Sequence, residues 1–329
     1  MANLVKAYPA LEGLQIGHAT DLDGITGCTV ILTVQGGTGG VDVRGGASGS
    51  VEHGVLDPMH ITSRVHAIVL SGGSAFGLEA SSGVRRVLEQ QGIGFEMRGA
   101  RVPIVPGAIL YDLGIGSAQA RPTREMGEAA TAAALAKKPG AMVEEGCVGA
   151  GTGATYGKAN GMACAMKGGF GYALVRLEGR YAGVEVAGMV ALNAFGDVLA
   201  EDGSVLAGAR RGPRAKNFEN TVKKMLAGKA LGAPSGGNTT IGLVATNAKL
   251  TKVEATKMAQ MAQAGVLRRI APAHTTMDGD TIFGLSTGEK LQADVNTLGV
   301  AAAEAMGLAI ERAVRLAKSL GGVVALGDL

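Results

Sequence analysis

The segment Gly236-Gly237-Asn238-Thr239-Thr240-Ile241-Gly242-Leu243-Val244-Ala245-Thr246-Asn247 runs a loop rich in Gly, Pro and Ser straight into a β-branched strand, with an Asn-Thr pair at the join. A Thr at the head of a buried strand is ordinarily structural. Its chemistry changes if the Asn238–Thr239 bond breaks, because Thr239 then has a free α-amine beside its hydroxyl. Such an amine has a reference pKa of ~7.7–8.0. It can take the hydroxyl proton near neutrality, making a nucleophile that carries its own base.

Other polar residues stand where they could serve that nucleophile. Met277-Asp278-Gly279-Asp280-Thr281 places two carboxylates two positions apart at a strand entrance. In extended backbone both point to one side. Repulsion then raises one pKa, unless Lys158 or an α-ammonium neutralises the pair. Calcium binding competes with this reading, but no further acidic ligands or terminal Glu follow at EF-hand spacing. A plain Asp-Gly turn is the bland alternative. The run Gly149-Ala150-Gly151-Thr152-Gly153-Ala154-Thr155-Tyr156-Gly157-Lys158 is neither a Walker loop nor a dinucleotide fingerprint, because the glycine spacing fails and Ala159 follows the Lys. Its glycines suit a strand that approaches a pocket. Lys158 is either a solvated charge or, if buried, an aid to an amine or an oxyanion. Asn193, closing an apolar strand, reads as a turn residue or an oxyanion donor. Ser74, in Ser71-Gly72-Gly73-Ser74-Ala75-Phe76-Gly77, lacks the G-x-S-x-G elbow and marks a strand-to-helix turn. His274 lies near the Asp pair, and His18, His53, His60 and His66 lie far upstream. No two of them make an i, i+4 metal pair with a Glu, so all five are read as structural or surface residues and no metal is expected.

The elements that must position these groups follow from pattern. The chain has 329 residues, 47% of them hydrophobic, with 54 Gly, 3% aromatics and no Trp. Its core must be built from Ala, Val, Ile, Leu and Met between closely spaced backbones. Strands are expected at 14–16, 28–32, 41–46, 67–70, 172–177, 184–192, from 239, and at 281–287. Helices are expected at 75–90, 123–137, from the capping box Thr251-Lys252-Val253-Glu254 to about 266, and over 296–320. That alternation predicts an α/β layered domain. Residues 208–237 concentrate Arg210, Arg211, Arg214, Lys216, Lys223, Lys224 and Lys229 between Gly-Pro punctuation. They read as an exposed connector, partly helical around 220–226, or as a solvated interdomain linker. The net charge of +3 without aromatic-interleaved basic runs argues against nucleic-acid binding. Cys28, Cys147 and Cys164 form no CxxC and read as buried thiols. Residues 1–17 show no basic-then-apolar leader, and no apolar run reaches a membrane span, so a cytoplasmic protein without a membrane partner is expected.

Together these residues resemble the DmpA family of self-processing N-terminal-nucleophile hydrolases. The resemblance runs from Ile16-Gly17-His18 and Thr26–Leu32 through Val43–Ala47, Ser71–Leu78 and Gly149–Gly153 to Gly237-Asn238-Thr239-Thr240-Ile241. It implies an αββα sandwich of the type shared with ornithine acetyltransferases, in one catalytic domain over 1–329. It also implies self-cleavage into 1–238 and 239–329, and a homo-oligomer, a tetramer of such heterodimers. The run His274–Thr281 and Gly157-Lys158 are similar to the nylon-oligomer (6-aminohexanoate oligomer) hydrolases of the family. That branch implies Thr239 as nucleophile, with Lys158, Asn193, Asp278 and Asp280 around it, and a linear or oligomeric amide as substrate with no cofactor. A β-peptidyl or L-aminopeptidase with D-amino-acid esterase or amidase activity is the alternative, and an acyltransferase is remoter. The aminopeptidases place a Tyr close to this region, for which Tyr156, offset by alignment, is the candidate pocket residue.

Overall fold

Period-two alternation sorts the strands into layers. Along the strand Thr26–Val43, the side chains of Cys28, Val30 and Leu32 share a core with Val84 and Leu88 of helix α1 (Ala80–Gln90) and Ala130 and Ala134 of α2 (Arg124–Leu135). Ile31, between them, enters a different core with Ile68, Phe170, Met189 and Phe283. Along Thr239–Ala248 the alternation repeats. Ile241, Leu243 and Ala245 enter that central core, while Val244 and Ala248 join a third. There they meet Met258 and Ala259 of α4 (Lys252–Arg269) and Met306 and Ile310 of α5 (Val295–Arg315). The resulting stack is helices, sheet, sheet, helices, an αββα sandwich whose inner core lies between the two sheets. The computed structural model describes residues 7–232 and 237–329. Met1–Lys6 and the Pro234-Ser235-Gly236 part of the loop lie outside the described residues.

The spatial order of the strands is Phe170–Arg176, Glu185–Asn193, Thr239–Ala248, Thr281–Leu291, Thr26–Val43, Val65–Ser71, Gly107–Ile109 and Ser50–Val51, with Gln15–Asp21 also paired to Thr26–Val43. The strands expected separately at 28–32 and 41–46 are one strand of 18 residues. Its register shifts between Leu32 and Gly37. The first half pairs with Gln15–Asp21 and the second with Thr281–Leu291, so this strand carries the chain from one sheet to the other. The helix expected from 75 begins as a 3-10 turn, Ser74–Glu79, before α1. Gly77 explains the tight turn: a Cβ there would stand 1.8 Å from the Gly72 carbonyl. The α4 capping box forms as the sequence requires, Thr251 accepting from the Glu254 N–H and Glu254 from the Thr251 N–H.

Two ladders converge on the Asn-Thr join. Asn193 opposite Thr239 is the last pair of the antiparallel ladder between Glu185–Asn193 and Thr239–Ala248. Ile241 opposite Thr281 opens the parallel ladder to Thr281–Leu291, and an isolated bridge between Asn238 and Asp278 extends it. All ten residues of Thr239–Ala248 are buried. The basic segment from 208 to 232 is folded onto the domain. The Asp197 carboxylate accepts the N–H groups of Ala209 at 2.9 Å and Thr221 at 2.7 Å, and the short helix α3 (Thr221–Leu226) is capped by Asn220. Cys28 and Cys164 are buried, and burial pushes the Cys28 thiol up to about 12. Cys147 departs from the expectation of three buried thiols: it is half-buried, its sulfur against the backbone of Lys318. No helix among the described residues is long and apolar enough to cross a membrane.

Candidate active site

The backbone places the Thr239 hydroxyl against the carbonyl of the preceding residue. Its Oγ1 donates to the Asn238 carbonyl oxygen at 2.5 Å, and the same oxygen accepts the Gly279 N–H at 2.8 Å. A Cβ at position 279 would stand 2.7 Å from the Ala47 carbonyl and 2.9 Å from Thr239 Oγ1, so only glycine lets this amide come so close. Thr239 is 3% exposed, and Asn238, Asp278 and Asp280 are equally buried.

The two carboxylates flank the join and are held by different donors. Asp280 accepts the Thr240 N–H at 2.7 Å through one oxygen, and the N–H and Nδ1 of His274 at 3.0 and 2.9 Å through the other. Asp278 accepts the Phe195 N–H at 3.3 Å through one oxygen, and the Thr275 hydroxyl at 2.5 Å and N–H at 3.2 Å through the other. Burial first, and the neighbouring Asp280 second, raise the Asp278 carboxyl above its ordinary value. The carboxylates therefore orient strand heads. His274, read from sequence as structural or surface, anchors Asp280 from a left-handed backbone position at φ +60°.

Lys158 is 4% exposed, which removes the solvated-charge reading. Its Nζ donates to the Asn193 carbonyl at 3.2 Å and to Asn193 Oδ1 at 2.9 Å. Burial lowers its pKa to about 7, against the opposing pull of Asp278 and Asp112. Asn193 Oδ1 also accepts the Thr155 N–H at 3.0 Å, while Nδ2 donates to the carbonyls of Tyr111 at 3.0 Å and Gly237 at 3.2 Å. The Gly151-to-Ala154 turn that delivers Thr155 is gathered by a second buried lysine. Lys167 Nζ donates to the carbonyls of Gly151 at 3.0 Å, Ala154 at 2.8 Å and Gly168 at 2.6 Å.

Thr239, Lys158, Asn193, Asp278 and Asp280 are thus brought together. Tyr156 is not with them: it is fully buried in the core with Leu192, Ala194 and Val198, its hydroxyl without a partner among the described residues. Burial, then the nearby Asp197, raises its phenol. The tyrosine at the site is Tyr111, which sequence reading missed. With Asp112, Thr155, Lys158, Met162 and Gly237 it lines a cavity of about 10 Å³, space for one water. Gly237, at φ +94°, lies so close that a Cβ there would be 2.1 Å from the Tyr111 Cβ. Ser74 lies apart, at the turn into α1. Among the described residues no group of three or more His, Cys, Asp or Glu is placed to hold a metal ion.

Residues 10–325 match Peptidase family S58. The chain belongs to this family. An uncharacterised aminopeptidase of Mycobacterium leprae is 38% identical over 98% of this chain and 94% of its own length. A 6-aminohexanoate-oligomer endohydrolase of Agromyces sp. is 32% identical over 89% of this chain and 82% of its own. Among solved structures, an L-aminopeptidase D-Ala-esterase/amidase from Ochrobactrum anthropi, described as a variant of the Ntn hydrolase fold, superposes with a TM-score of 0.70 at 19% identity, over 96% of this chain and 88% of that one. The S58 assignment makes the chain a hydrolase of the peptidase and amidase class and agrees with the layered fold.

Proposed function

We propose that this S58 chain is an amidohydrolase that cuts its own Asn238–Thr239 bond and then works through Thr239 as an N-terminal nucleophile. The observation that carries this reading is the hydroxyl of Thr239 at 2.5 Å from the Asn238 carbonyl oxygen, with the Gly279 N–H on the same oxygen. A donor already aimed at the oxygen that becomes an oxyanion is what acyl transfer requires. In the first step Oγ1 bonds to the Asn238 carbonyl carbon, the C–N bond breaks, and the hydroxyl proton ends on the new amine. Water then hydrolyses the ester. Departure of the Gly237 carbonyl frees Asn193 Nδ2 and removes one wall of the cavity that Gly237 lines. In the mature site the Thr239 amine takes the hydroxyl proton, Asn193 and the Lys158 ammonium face the developing oxyanion, and Asp278 and Asp280 hold the strand heads and the amine.

The substrate class is a linear amide, and the kinship with 6-aminohexanoate-oligomer endohydrolases supports internal cleavage of such oligomers. The 36–38% identity to proteins named as aminopeptidases supports a second reading, removal of an amine-bearing terminal residue. Denaturing mass spectrometry tests the first step. Two fragments, 1–238 and 239–329, are expected, and a single 33.0 kDa species from Thr239→Ala. Turnover by an uncut wild-type chain would overturn the mechanism. Equal rates on N-blocked and free linear amides support endo-cleavage, and a strict need for the free amine supports the aminopeptidase.

A further inference from the structure

The connector concentrates the charge of the molecule. Residues 208–232 hold seven Lys and Arg against one acid, Glu219, for a net +6 in a chain whose total is +3, so the remainder carries −3. None of the seven forms an ion pair within 4.0 Å among the described residues, whereas basic groups elsewhere, such as Arg312 with Glu145 and Arg176 with Glu185, do. Arg211, Arg214, Lys216, Lys223 and Lys229 are exposed. Arg210, Arg211 and Lys224 donate to carbonyl and amide oxygens, so among the described residues no acid neutralises this charge.

The segment is nonetheless fixed, and fixed to one wall of the site. The Arg210 N–H donates to the Cys164 carbonyl at 3.0 Å and its guanidinium to the Ala163 carbonyl at 2.9 Å. Asn160 Nδ2 donates to the Arg210 carbonyl at 2.7 Å, Lys224 reaches Asn160 Oδ1, and the Gly232 N–H meets the Ala159 carbonyl at 2.8 Å. The stretch gripped here, 158–164, is the one that puts Lys158 and Met162 into the cavity. A segment with a block of positive charge that no acid pairs is therefore bolted to the stretch that lines the small cavity beside Gly237, two residues before Thr239.

We propose that this surface selects anionic substrates, drawing amides that carry a carboxylate towards the site at Thr239. The inference rests on the amidohydrolase reading above and adds specificity-determining residues to it. One-signed charge beside a low-dielectric cleft concentrates counter-charged ligands and speeds their arrival by 10-fold or more, an effect that salt removes over a Debye length of about 10 Å at 0.1 M. Among the described residues none of the seven cations stacks on an aromatic ring, as Arg121, Arg180 and Arg312 do, which favours a small anion over a single-strand nucleic acid.

The test uses the cleaved protein and one linear amide oligomer in two forms, free carboxylate and carboxamide-capped. At low salt kcat/KM should favour the carboxylate several-fold, and about 0.5 M NaCl should erase the preference. Arg214→Gln/Lys216→Gln/Lys229→Gln should erase it at low salt while leaving the rate on the capped form and the self-cleavage unchanged. If that triple variant folds poorly, as its capped-substrate rate would report, Lys216→Gln against Lys216→Arg gives the same comparison, with loss in the first and retention in the second. Equal kcat/KM on both forms, or a preference the variants leave intact, overturns the proposal. So does salt-sensitive binding of duplex DNA or anionic vesicles that depends on these residues while turnover does not. Hydrolysis of neither form by a correctly cut protein means that the amidohydrolase reading itself has failed.

Discussion

Lys158 and Lys167 lie nine residues apart, and burial takes both out of their ordinary range, to about 7 and about 8. Their partners differ. Lys167 gives its three N–H bonds to three main-chain carbonyls and serves as an internal cation that gathers a glycine turn. Lys158 gives two of its bonds to one residue, Asn193, whose amide reaches the join, and it also lines the cavity. Similar burial thus supports two uses of one side chain. A lysine whose donors are consumed by backbone is part of the scaffold. A lysine with a donor unspent, beside a space, can act on a ligand.

Single substitutions should separate the two. Lys158→Met should slow turnover on linear amides by about 10²–10³-fold, the loss typical of an oxyanion donor. The melting temperature should move little, because Asn193 Oδ1 keeps the Thr155 N–H. Lys167→Met should do the reverse. It withdraws a donor from three buried carbonyls at about 1–3 kcal/mol each where no other partner remains, so the melting temperature should fall by many degrees while protein that does fold still cuts itself. Calorimetry and fragment masses read both. Equal thermal losses for the two variants would break the contrast.

The pH response sharpens it. Each folded-state lysine pKa lies below the 10.5 of the free side chain, so between those values the unfolded chain binds more protons. Stability therefore rises with pH from about 7 and is depressed below it. Above pH 9 the raised Cys28 thiol works the other way, since the unfolded thiol then ionises first. A rise in melting temperature from pH 7 to 9 is expected, and each Lys→Met variant should flatten part of it. Turnover should follow a bell centred near about 7.5, rising as the Thr239 amine (about 7.7–8.0) loses its proton and falling as Lys158 does. Lys158→Met should remove only the descending limb.

A smaller effect is expected one layer out. Asp280→Asn keeps the shape but turns an acceptor towards the N–H groups of Thr240 and His274 into a partial donor. Self-cleavage should slow by about tenfold, in line with 1–3 kcal/mol for a buried donor left unpaired. The fragments should still form on longer incubation.

The same contrast explains what was legible in the sequence. The α/β layering is legible because alternation along strands such as Thr239–Ala248 and amphipathic helices such as α5 encode which side is buried, whereas the αββα order comes from the family resemblance. The long strand Thr26–Val43 was not legible, because its central glycines read as a break while serving as a bend. At the site, Thr239, Asn193 and the Asp pair stood out as polar residues at the ends of apolar strands, and the ladders bring such ends together. Gly279 contributes a backbone N–H, which has no signature in residue type. Tyr111 sits in Leu110-Tyr111-Asp112 with no motif around it, and only the fold shows its carbonyl meeting Asn193. Lys167, between Met166 and Gly168, has no motif that singles it out, because burial of a cation is a property of the carbonyls that converge on it.

Tyr156 supplies the smallest predicted effect and the sharpest test of that lesson. It shares a short segment with Lys158, and the resemblance to the aminopeptidases makes it the candidate pocket tyrosine. In the fold its ring is closed off in the core, and its hydroxyl is a buried polar atom with no partner among the described residues. Removing such an atom while keeping the ring relieves a desolvation penalty and opens almost no cavity. Tyr156→Phe should leave self-cleavage and kcat/KM within about twofold of wild type and hold or raise stability by up to about 1 kcal/mol. Tyr111→Ala, which empties the wall against Gly237, should change both rates. If Tyr156→Phe instead lost activity at unchanged stability, the phenol would have to reach the reacting groups after cleavage, and the assignment of the site tyrosine to Tyr111 would be wrong.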